Sequence, residues 1–230
     1  MLQVTQLIGF GAGGGVANAS YVTFASSNAT AKTSYTFSST SIGTASGDRV
    51  LVVATGGVGA GATGRTVSSL TVGGNAMTKL TEKAGTSGSF RSTAAIHALL
   101  YPTGTSDTFV VTFSGTVDSC AIGVWAVTGL DAISAYATLN AENASGAASG
   151  TIDCPAGGCI IAVSANRAVT ASTQSYTWSG LTERFDQALF TYSGASAAGD
   201  NFSATQTGLT VTATPALATY NTVLSAVSMK

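Results

Sequence analysis

The sequence predicts an all-β protein, an antiparallel β-sandwich that is jelly-roll-like and contains about 12–16 strands. Three observations predict this class. Short runs rich in Val, Ile, Thr, Tyr and Phe recur along the 230 residues, and clusters of Gly, Ser, Asn and Asp separate many of them. No segment repeats apolar residues at the i, i+3, i+4, i+7 spacing of an amphipathic helix, so the strands are expected to follow one another without helices.

The strand-like runs can be followed in order along the chain. Before Gly47, aromatic and β-branched residues lie among Ser, Thr and Asn in "SYVTFASSNATAKTSYTFSSTS", which is typical of strands and loops. The later runs are "RVLVVATG", "TVSSLTVGG", "STAAIHALLYP", "DTFVVTFSG", "SCAIGVWAVTGL", "CIIAVSANR", "SYTWSGLTERF", "QALFTYSG", "GLTVTATP" and "YNTVLSAVSMK". Aromatic-Ser-Gly recurs at Phe113, Trp178 and Tyr192, but the unequal intervals do not indicate a solenoid or a propeller.

Two domain organisations are compatible with this pattern. In the first, residues 1–46 form an N-terminal β segment used for attachment or oligomer contact, and residues 47–230 form the sandwich. In the second, residues 1–230 form one continuous domain. The most linker-like stretch, residues 140–150, is rich in Gly, Ser and Asn. One interpretation is a linker between two β units, and the favoured interpretation is a surface loop of one sandwich.

Charged residues are scarce. Asp, Glu, Lys and Arg make up 8% of the chain and the formal net charge is −1, against about 25% charged residues in ordinary soluble proteins. Nucleic acid is not an expected partner, because binding it requires clustered Lys and Arg. A surface of Ser, Thr, Gly, Asn and Ala suits a chain packed against neighbours, as in a homo-oligomer, or one that resists proteolysis outside a cell.

No membrane insertion is expected, because the chain contains no uninterrupted apolar run of about 18 residues. The N-terminus has no basic residue before its short apolar run, so it lacks a standard secretory signal. The spacing G-x-G-x-x-G occurs in "GFGAGG" from Gly9 and in "GAGATG" from Gly59. A dinucleotide site needs a helix after these glycines, whereas strand-like sequence follows both, so they are interpreted as turns and no cofactor is predicted.

The three cysteines do not indicate a metal site. Cys154 and Cys159 have the spacing C-x4-C without a second pair, and the chain has one histidine, so zinc is not expected. The sequence contains no EF-hand loop and no run of alternating acidic residues, so nothing in it supports a calcium site. Cys120 lies in an apolar run and is predicted to be a buried thiol. For Cys154 and Cys159, which flank the turn "PAGG", a disulfide and two reduced thiols both remain open.

No catalytic residue is predicted. A Ser-His-Asp triad would have to use His97, but strand alternation places His97 opposite its apolar neighbours and no G-x-S-x-G motif is present. Glu183 and Asp186 are the nearest pair of carboxylates for glycoside hydrolysis. A local ion pair with Arg184 at a bend is the favoured interpretation of these two acids.

Four further charged residues and four aromatic residues are assigned from their sequence context. Asp48 and Arg49 are predicted in a turn entering a buried strand, and Asp118 and Asp131 are also predicted in turns. Exposed aromatic rings at Tyr136, Tyr176 or Trp178 would allow stacking on sugars, whereas Trp125 and Trp178 are equally compatible with the core, which is favoured.

A series of segments covering residues 47–214 resembles a known group of proteins. The segments are "GDRVLVVATGG", "TVSSLTVGGNAMTKL", "FVVTFSGTVDSCAIGVWAVTGL", "YTWSGLTERFD", "TYSGASAAG" and "GLTVTAT", in this order. The series resembles β-rich minor virion structural proteins of tailed bacteriophages, prophages and gene-transfer particles: head decorations, head fibres or spikes, and tail adhesion modules. The shared motifs are turns and core strands, so no functional residue is carried over.

The resemblance implies a virion protein assembled in the host cytoplasm, with capsid or tail proteins as partners and a homo-oligomeric state. The expected function is a non-enzymatic bacteriophage virion structural protein, displayed as a head decoration or fibre or at the tail tip. The alternative is a carbohydrate-binding or host-adhesion module whose ligand is a host-surface glycan. A third alternative is a glycan-acting hydrolase using Glu183, Asp186 or His97.

Overall fold

The computed structural model describes residues 15–28, 31–61, 64–86, 90–170, 174–190 and 192–230. Within these ranges the chain forms seventeen β-strands and no helix. All strand pairs in these ranges are antiparallel. The predicted all-β antiparallel sandwich is confirmed, with slightly more strands than expected because one of them has only two residues.

Nine strands lie in the first part of the chain: β1 (Asn18–Ser27), β2 (Lys32–Ser41), β3 (Val50–Ala60), β4 (Val67–Val72), β5 (Asn75–Ala76), β6 (Thr78–Ala84), β7 (Phe90–Leu100), β8 (Ser106–Val117) and β9 (Ser119–Thr128). Eight lie in the second part: β10 (Ala137–Asn143), β11 (Ala148–Cys154), β12 (Gly158–Ala168), β13 (Tyr176–Ser179), β14 (Glu183–Phe190), β15 (Ser193–Phe202), β16 (Gln206–Pro215) and β17 (Thr219–Met229).

The two parts have the same sheet topology. The first has a five-stranded sheet, β1-β9-β3-β7-β6, and a four-stranded sheet, β2-β8-β4-β5. The second has a five-stranded sheet, β10-β17-β12-β15-β14, and a three-stranded sheet, β11-β16-β13. The orders coincide when β1–β4 are matched with β10–β13 and β6–β9 with β14–β17, so only β5 lacks a counterpart. We call residues 18–128 the first sandwich and residues 137–229 the second; a jelly-roll connection is compatible with both orders and stays a prediction.

The sheets stack in four layers, with the two five-stranded sheets in the middle. Strand β3 sends Leu51 and Val53 into the outer core of the first sandwich and Val52 and Ala54 into the central core between the two sandwiches. In the same way, β12 contributes to the central core and to the outer core of the second sandwich. Because both faces of these strands are buried, their sequences are continuously apolar and do not alternate.

Small residues allow the two middle sheets to approach closely. A Cβ added to Gly56 would lie 2.7 Å from the Cβ of Ala195 and 3.6 Å from that of Ala165. Strand β7 packs on β12 and β17, and its counterpart β15 packs on β3 and β9. The same elements of each sandwich therefore meet across the central core, as in an isologous two-fold dimer, but within one chain.

An arginine joins the two sandwiches at one end of this central core. The Arg167 guanidinium lies 4.5 Å from the ring centroid of Phe90 in the first sandwich and 4.9 Å from that of Tyr192 in the second. Its Nη1 is 3.8 Å from an Asp118 carboxylate oxygen. Cation–π contacts of one guanidinium with a ring from each sandwich add an attraction to this mainly apolar interface.

The N-terminal part of the described chain belongs to the first sandwich. Strand β1 pairs with β9 and strand β2 pairs with β8. Residues 1–14, which include the first glycine motif, lie outside the described residues, and the attachment role of residues 1–46 stays a prediction. The interpretation of residues 140–150 as a surface loop is wrong for most of the stretch, because β10 and β11 leave only residues 144–147 between them. The connection between the two sandwiches is residues 129–136.

Candidate functional site

A cleft of about 410 Å³ opens at one end of the first sandwich. Its floor is formed by the first residues of β1 together with Ala126 and Thr128 of β9, and its wall is the segment that joins β2 to β3. The lining residues are Asn18, Ser20, Tyr21, Val22, Gly43, Thr44, Ala45, Ser46, Ala126 and Thr128. All ten are uncharged, and most of their side chains carry a hydroxyl or an amide.

The buried guanidinium of Arg49 anchors the wall of this cleft. Arg49 is fully buried and donates hydrogen bonds to five backbone carbonyl oxygens, those of Ile42 (3.2 Å), Gly43 (3.0 Å), Tyr101 (2.8 Å), Thr103 (2.6 Å) and Gly104 (3.0 Å). Charge-assisted hydrogen bonds are stronger than neutral ones, and the rigid fork of Arg holds several acceptors in fixed positions. The side chain therefore ties the wall to the β7–β8 connection.

Two further side chains fix the cleft from outside. The Asp48 carboxylate accepts hydrogen bonds from the Ser46 hydroxyl and from the Gly129 N–H (3.0 Å), and these bonds lower the pKa of Asp48. Asn201 of the second sandwich holds β1 through both its amide atoms, accepting from the Ala19 N–H at 2.7 Å and donating to the Ala19 carbonyl at 3.1 Å. The wall and the floor are thus both hydrogen-bonded to their surroundings.

The second sandwich uses the corresponding strand differently. Strand β10, the counterpart of β1, packs Ala137, Leu139 and Ala141 against the outer core of the second sandwich. Strand β1 instead presents Asn18 and Ser20 to the cleft. Because the two sandwiches share a topology, polar residues on β1 are not required by the fold alone.

The two outer sheets carry the same row of hydroxyl groups across three neighbouring strands. The row is Ser34, Thr112 and Ser69 in the first sandwich and Ser149, Thr212 and Ser179 in the second. The hydroxyl oxygens of Ser34 and Thr112 are 3.4 Å apart, and those of Ser149 and Thr212 are 2.6 Å apart. The rows occupy matching strands and face away from the molecule on opposite sides.

His97 lies in the interior of the first sandwich. It is 2% exposed, and its neighbours two positions away, Ala95 and Leu99, belong to the outer core of that sandwich. The predicted placement opposite Ile96 and Ala98 is confirmed. Burial, with a smaller effect from Lys79, lowers the pKa of His97 from 6.5 to about 4, so the imidazole is neutral at pH 7.

The buried histidine predicts a loss of stability in mild acid. The unfolded chain binds a proton near pH 6.5 and the folded chain binds it near pH 4, so the unfolded state holds more protons between these values. The free energy of unfolding should therefore be unaffected above pH 6.5 and fall by about 3 kcal/mol as the pH drops to 4. Urea unfolding at a series of pH values measures this loss.

The control for this prediction is His97→Gln, which removes the titrating group. The difference in pH dependence between the two proteins isolates the histidine from all carboxylates. Parallel pH curves for the native protein and the variant would contradict the prediction.

The acidic pair on β14 is arranged differently from the expected local ion pair. Arg184 pairs with Asp200 at 3.1 Å and donates from Nε to the Gly199 carbonyl at 3.0 Å. Asp186 accepts the Tyr176 N–H at 2.8 Å. The predicted pairing of Arg184 with Glu183 or Asp186 is wrong, because antiparallel pairing of β14 with β15 brings Arg184 beside Asp200. Burial raises the pKa of both Glu183 and Asp186, and the hydrolase interpretation stays a prediction.

The three cysteines are free thiols in three different cores. Cys120 lies in the outer core of the first sandwich, Cys159 in the central core and Cys154 in the outer core of the second. Of the two open alternatives, the structure contains the reduced pair, with the two thiols on opposite faces of the sheet that includes β12. Burial raises the pKa of Cys154 to about 11 and of Cys159 to about 12, and it also raises that of Cys120.

These thiols are expected to react slowly with a disulfide reagent in the folded protein. The thiolate is the reactive form, and burial both suppresses it and blocks access. Addition of Ellman's reagent to the native protein should release little thionitrobenzoate, whereas the same reagent in urea should titrate all three groups. Rapid release of one equivalent or more from the native protein would contradict this prediction.

The aromatic residues considered for sugar stacking have different environments. Trp125 is in the central core, as expected, and Tyr176 is in the outer core of the second sandwich. Trp178 packs at the edge of that core and donates from Nε1 to the Ser196 hydroxyl at 2.7 Å. Tyr136 is 62% exposed. These four rings do not form one exposed platform, because Trp125 and Tyr176 are buried in two different cores.

The second glycine motif lies in a turn between strands. Gly59 belongs to β3, Gly61 has φ +113°, and Gly64 precedes β4. The prediction of a turn holds for Gly61 and Gly64 and is wrong for Gly59, which is paired with Arg91 inside the sheet; residues 62 and 63 lie outside the described residues. Asp48, Asp118 and Asp131 lie at strand connections, as predicted.

No family model, curated protein or solved structure matches the chain. Among the described residues, no group of His, Cys, Asp and Glu could hold a metal ion. In the same part of the chain, no helix is long and apolar enough to span a membrane.

Proposed function

We propose that this chain is a non-enzymatic bacteriophage virion structural protein, displayed on the particle as a head decoration or fibre or as a tail-tip component. The observation that carries the proposal is the repeated Ser-Thr-Ser row on the two opposite outer sheets. Two like faces on one chain would allow an isologous contact with a neighbouring copy on either side, which suits a protein that is repeated in an assembly.

The distribution of charged and reactive side chains supports the same proposal. Two arginines make their contacts within the molecule. Arg49 is buried and hydrogen-bonded to the strand connections around it, and Arg167 joins the two sandwiches. His97 and the three thiols are in cores. A surface with few charges and many hydroxyl groups suits broad contact with other proteins, and it leaves trypsin-like proteases few exposed basic residues to cleave.

The expected partners are capsid or tail proteins and further copies of this chain. Each hydroxyl contact is weak, because it replaces a hydrogen bond to water. Many such contacts in a particle add through multivalency, so a stable assembly does not need one strong site.

Immunogold electron microscopy of purified particles tests the proposal. Antibody raised against the recombinant chain should label the particle surface, over the head for a decoration or fibre and at the tail tip for an adhesion component. Antibody pre-absorbed with the recombinant chain is the control. Particles that contain the chain by mass spectrometry but carry no surface label, or that lack the chain altogether, would overturn the proposal.

The cleft favours a second candidate function, binding of a host-surface glycan. A concave site with an uncharged polar lining and hydrogen-bonded walls is suited to a small polar ligand. An adhesion role and a structural role are compatible in one virion protein, and the ligand experiment described below tests this second function separately.

A further inference from the structure

We infer that the cleft of the first sandwich binds one or two rings of a neutral sugar. This inference deepens the second proposed function and rests on it. It assigns the ligand chemistry and the residues: hydroxyl and amide groups from Asn18, Ser20, Thr44 and Thr128, with apolar contacts from the alanine and valine side chains of the lining.

The polar groups of the lining match those of a sugar. Serine and threonine hydroxyls each donate and accept, and the asparagine amide does both through different atoms. Sugar hydroxyls also donate and accept, so each can be paired without a net charge on either side. Val22, Ala45 and Ala126 supply apolar surface between these groups, which suits the C–H faces of a sugar ring.

The lining disfavours charged sugars. None of its side chains carries a charge. The Asp48 carboxylate, beside the lining residue Ser46, accepts the Ser46 hydroxyl and the Gly129 N–H. It would repel a sugar acid, and the lining itself supplies no charged side chain to pair with an amino sugar.

The floor of the cleft also disfavours an extended peptide. A peptide that joins a sheet needs a free strand edge with unpaired backbone groups. Here the floor is the face of the β1–β9 pair, in which Ser20 is registered with Ala126 and Asn18 with Thr128. Strand β1 is the edge strand of its sheet, but the Asn201 amide already pairs with both backbone groups of Ala19. The floor of the cleft therefore presents side chains to a ligand.

The cleft is fixed before a ligand arrives. Arg49 holds the carbonyl oxygens of Ile42 and Gly43 at the start of the wall, Asp48 holds its end, and Asn201 holds β1. Fixed walls reduce the ordering cost of binding, which matters for a small ligand that makes few contacts. The size also fits, since ligand clefts usually span about 300–1,000 Å³.

Titration of the full chain with defined sugars, followed by protein NMR, tests the inference. The probes are the methyl glycosides of glucose, galactose and N-acetylglucosamine, with glucuronic acid and glucosamine as charged comparisons. A neutral glycoside should bind with a dissociation constant of about 1 mM, in the range of a few hydrogen bonds to a small ligand. The shifted amide signals should be those of residues 18–22, 43–46 and 126–128.

Two variants and two matched controls connect binding to the cleft. Thr44→Val removes one hydroxyl without changing shape and should weaken binding about tenfold. Ala45→Trp should abolish binding by filling the cleft. Thr36→Val changes an exposed threonine on the outer sheet, and Ala156→Trp changes an exposed alanine in the β11–β12 connection, the counterpart of the wall. Both controls should bind sugar like the native protein.

The outcomes separate the inference from the function on which it rests. Binding of a neutral sugar that both cleft variants weaken and both controls retain supports the inference. Binding confined to charged sugars, or unaffected by the cleft variants, overturns the cleft assignment while glycan binding stands. No binding of any sugar by a folded native protein overturns both.

Discussion

Replacing Arg49 by Met is expected to lower the free energy of unfolding by about 4 kcal/mol, the largest effect of any single substitution proposed for this chain. Methionine keeps the length and the apolar stem of the side chain but removes every donor. Five buried or partly buried carbonyl oxygens would then lose their charged partner. Urea unfolding followed by tryptophan fluorescence measures the loss.

Two comparisons identify the cause of this effect. Arg49→Lys keeps the charge but offers a compact ammonium with three donors, so it should lose part of the stability. Arg184→Met removes a partly exposed guanidinium that pairs with Asp200 and should change stability by about 1 kcal/mol or less. If Arg49→Met costs no more than Arg184→Met, the buried guanidinium does not anchor the connections as described.

Gly56→Ala is expected to destabilise the protein by about 2 kcal/mol, through contact between the two middle sheets. Alanine is normally better than glycine inside a strand, so local propensity predicts the opposite sign. The new Cβ would lie 2.7 Å from that of Ala195, however, and neither atom can move without its strand. The free energy of unfolding from urea titration decides between the two effects.

A second substitution, on the opposing strand, tests whether the two methyl groups meet. Ala195→Gly removes the opposing methyl group, so the double variant should be more stable than the sum of the single effects requires. Gly47→Ala is the matched control, because its added Cβ meets nothing within 4 Å. A strict sum of the two single effects would show that the methyl groups do not meet and would contradict the close approach of the sheets.

The fold class could be predicted from sequence because strand chemistry is local. The run "VLVVATG" in β3 is apolar and β-branched whichever sheet it joins, and glycine-rich turns separate such runs. The shared topology of the two sandwiches could not be predicted, because matching positions carry side chains of different size in the two halves of the sequence. Gly57 packs against the ring of Phe113 in the first sandwich, whereas the matching strands of the second carry Asn166 and Ala213.

The cleft could not be predicted, because its residues come from three segments that meet only in the folded chain. Arg49 was assigned correctly to the entry of a strand, yet its burial depends on carbonyl oxygens from two separate connections. Arg184 shows the same limit: its partner, Asp200, is set by strand pairing and not by the nearest acids in sequence. Local sequence chemistry predicts where the strands lie, whereas the partner of a charged side chain depends on which strands are neighbours in the folded sheet.

The shared strand order has a consequence for synthesis. In each sandwich the last strand lies inside the middle sheet, between the first and third strands: β9 between β1 and β3, and β17 between β10 and β12. Ribosomes add about 5–20 residues per second, so β1 waits roughly 5–20 s for β9 to emerge. During that time the backbone groups of β1 that pair with β9 are open to chaperones and to other nascent chains. A chain that terminates before β17 would lose an interior strand, so late frameshifts should be as damaging as early ones.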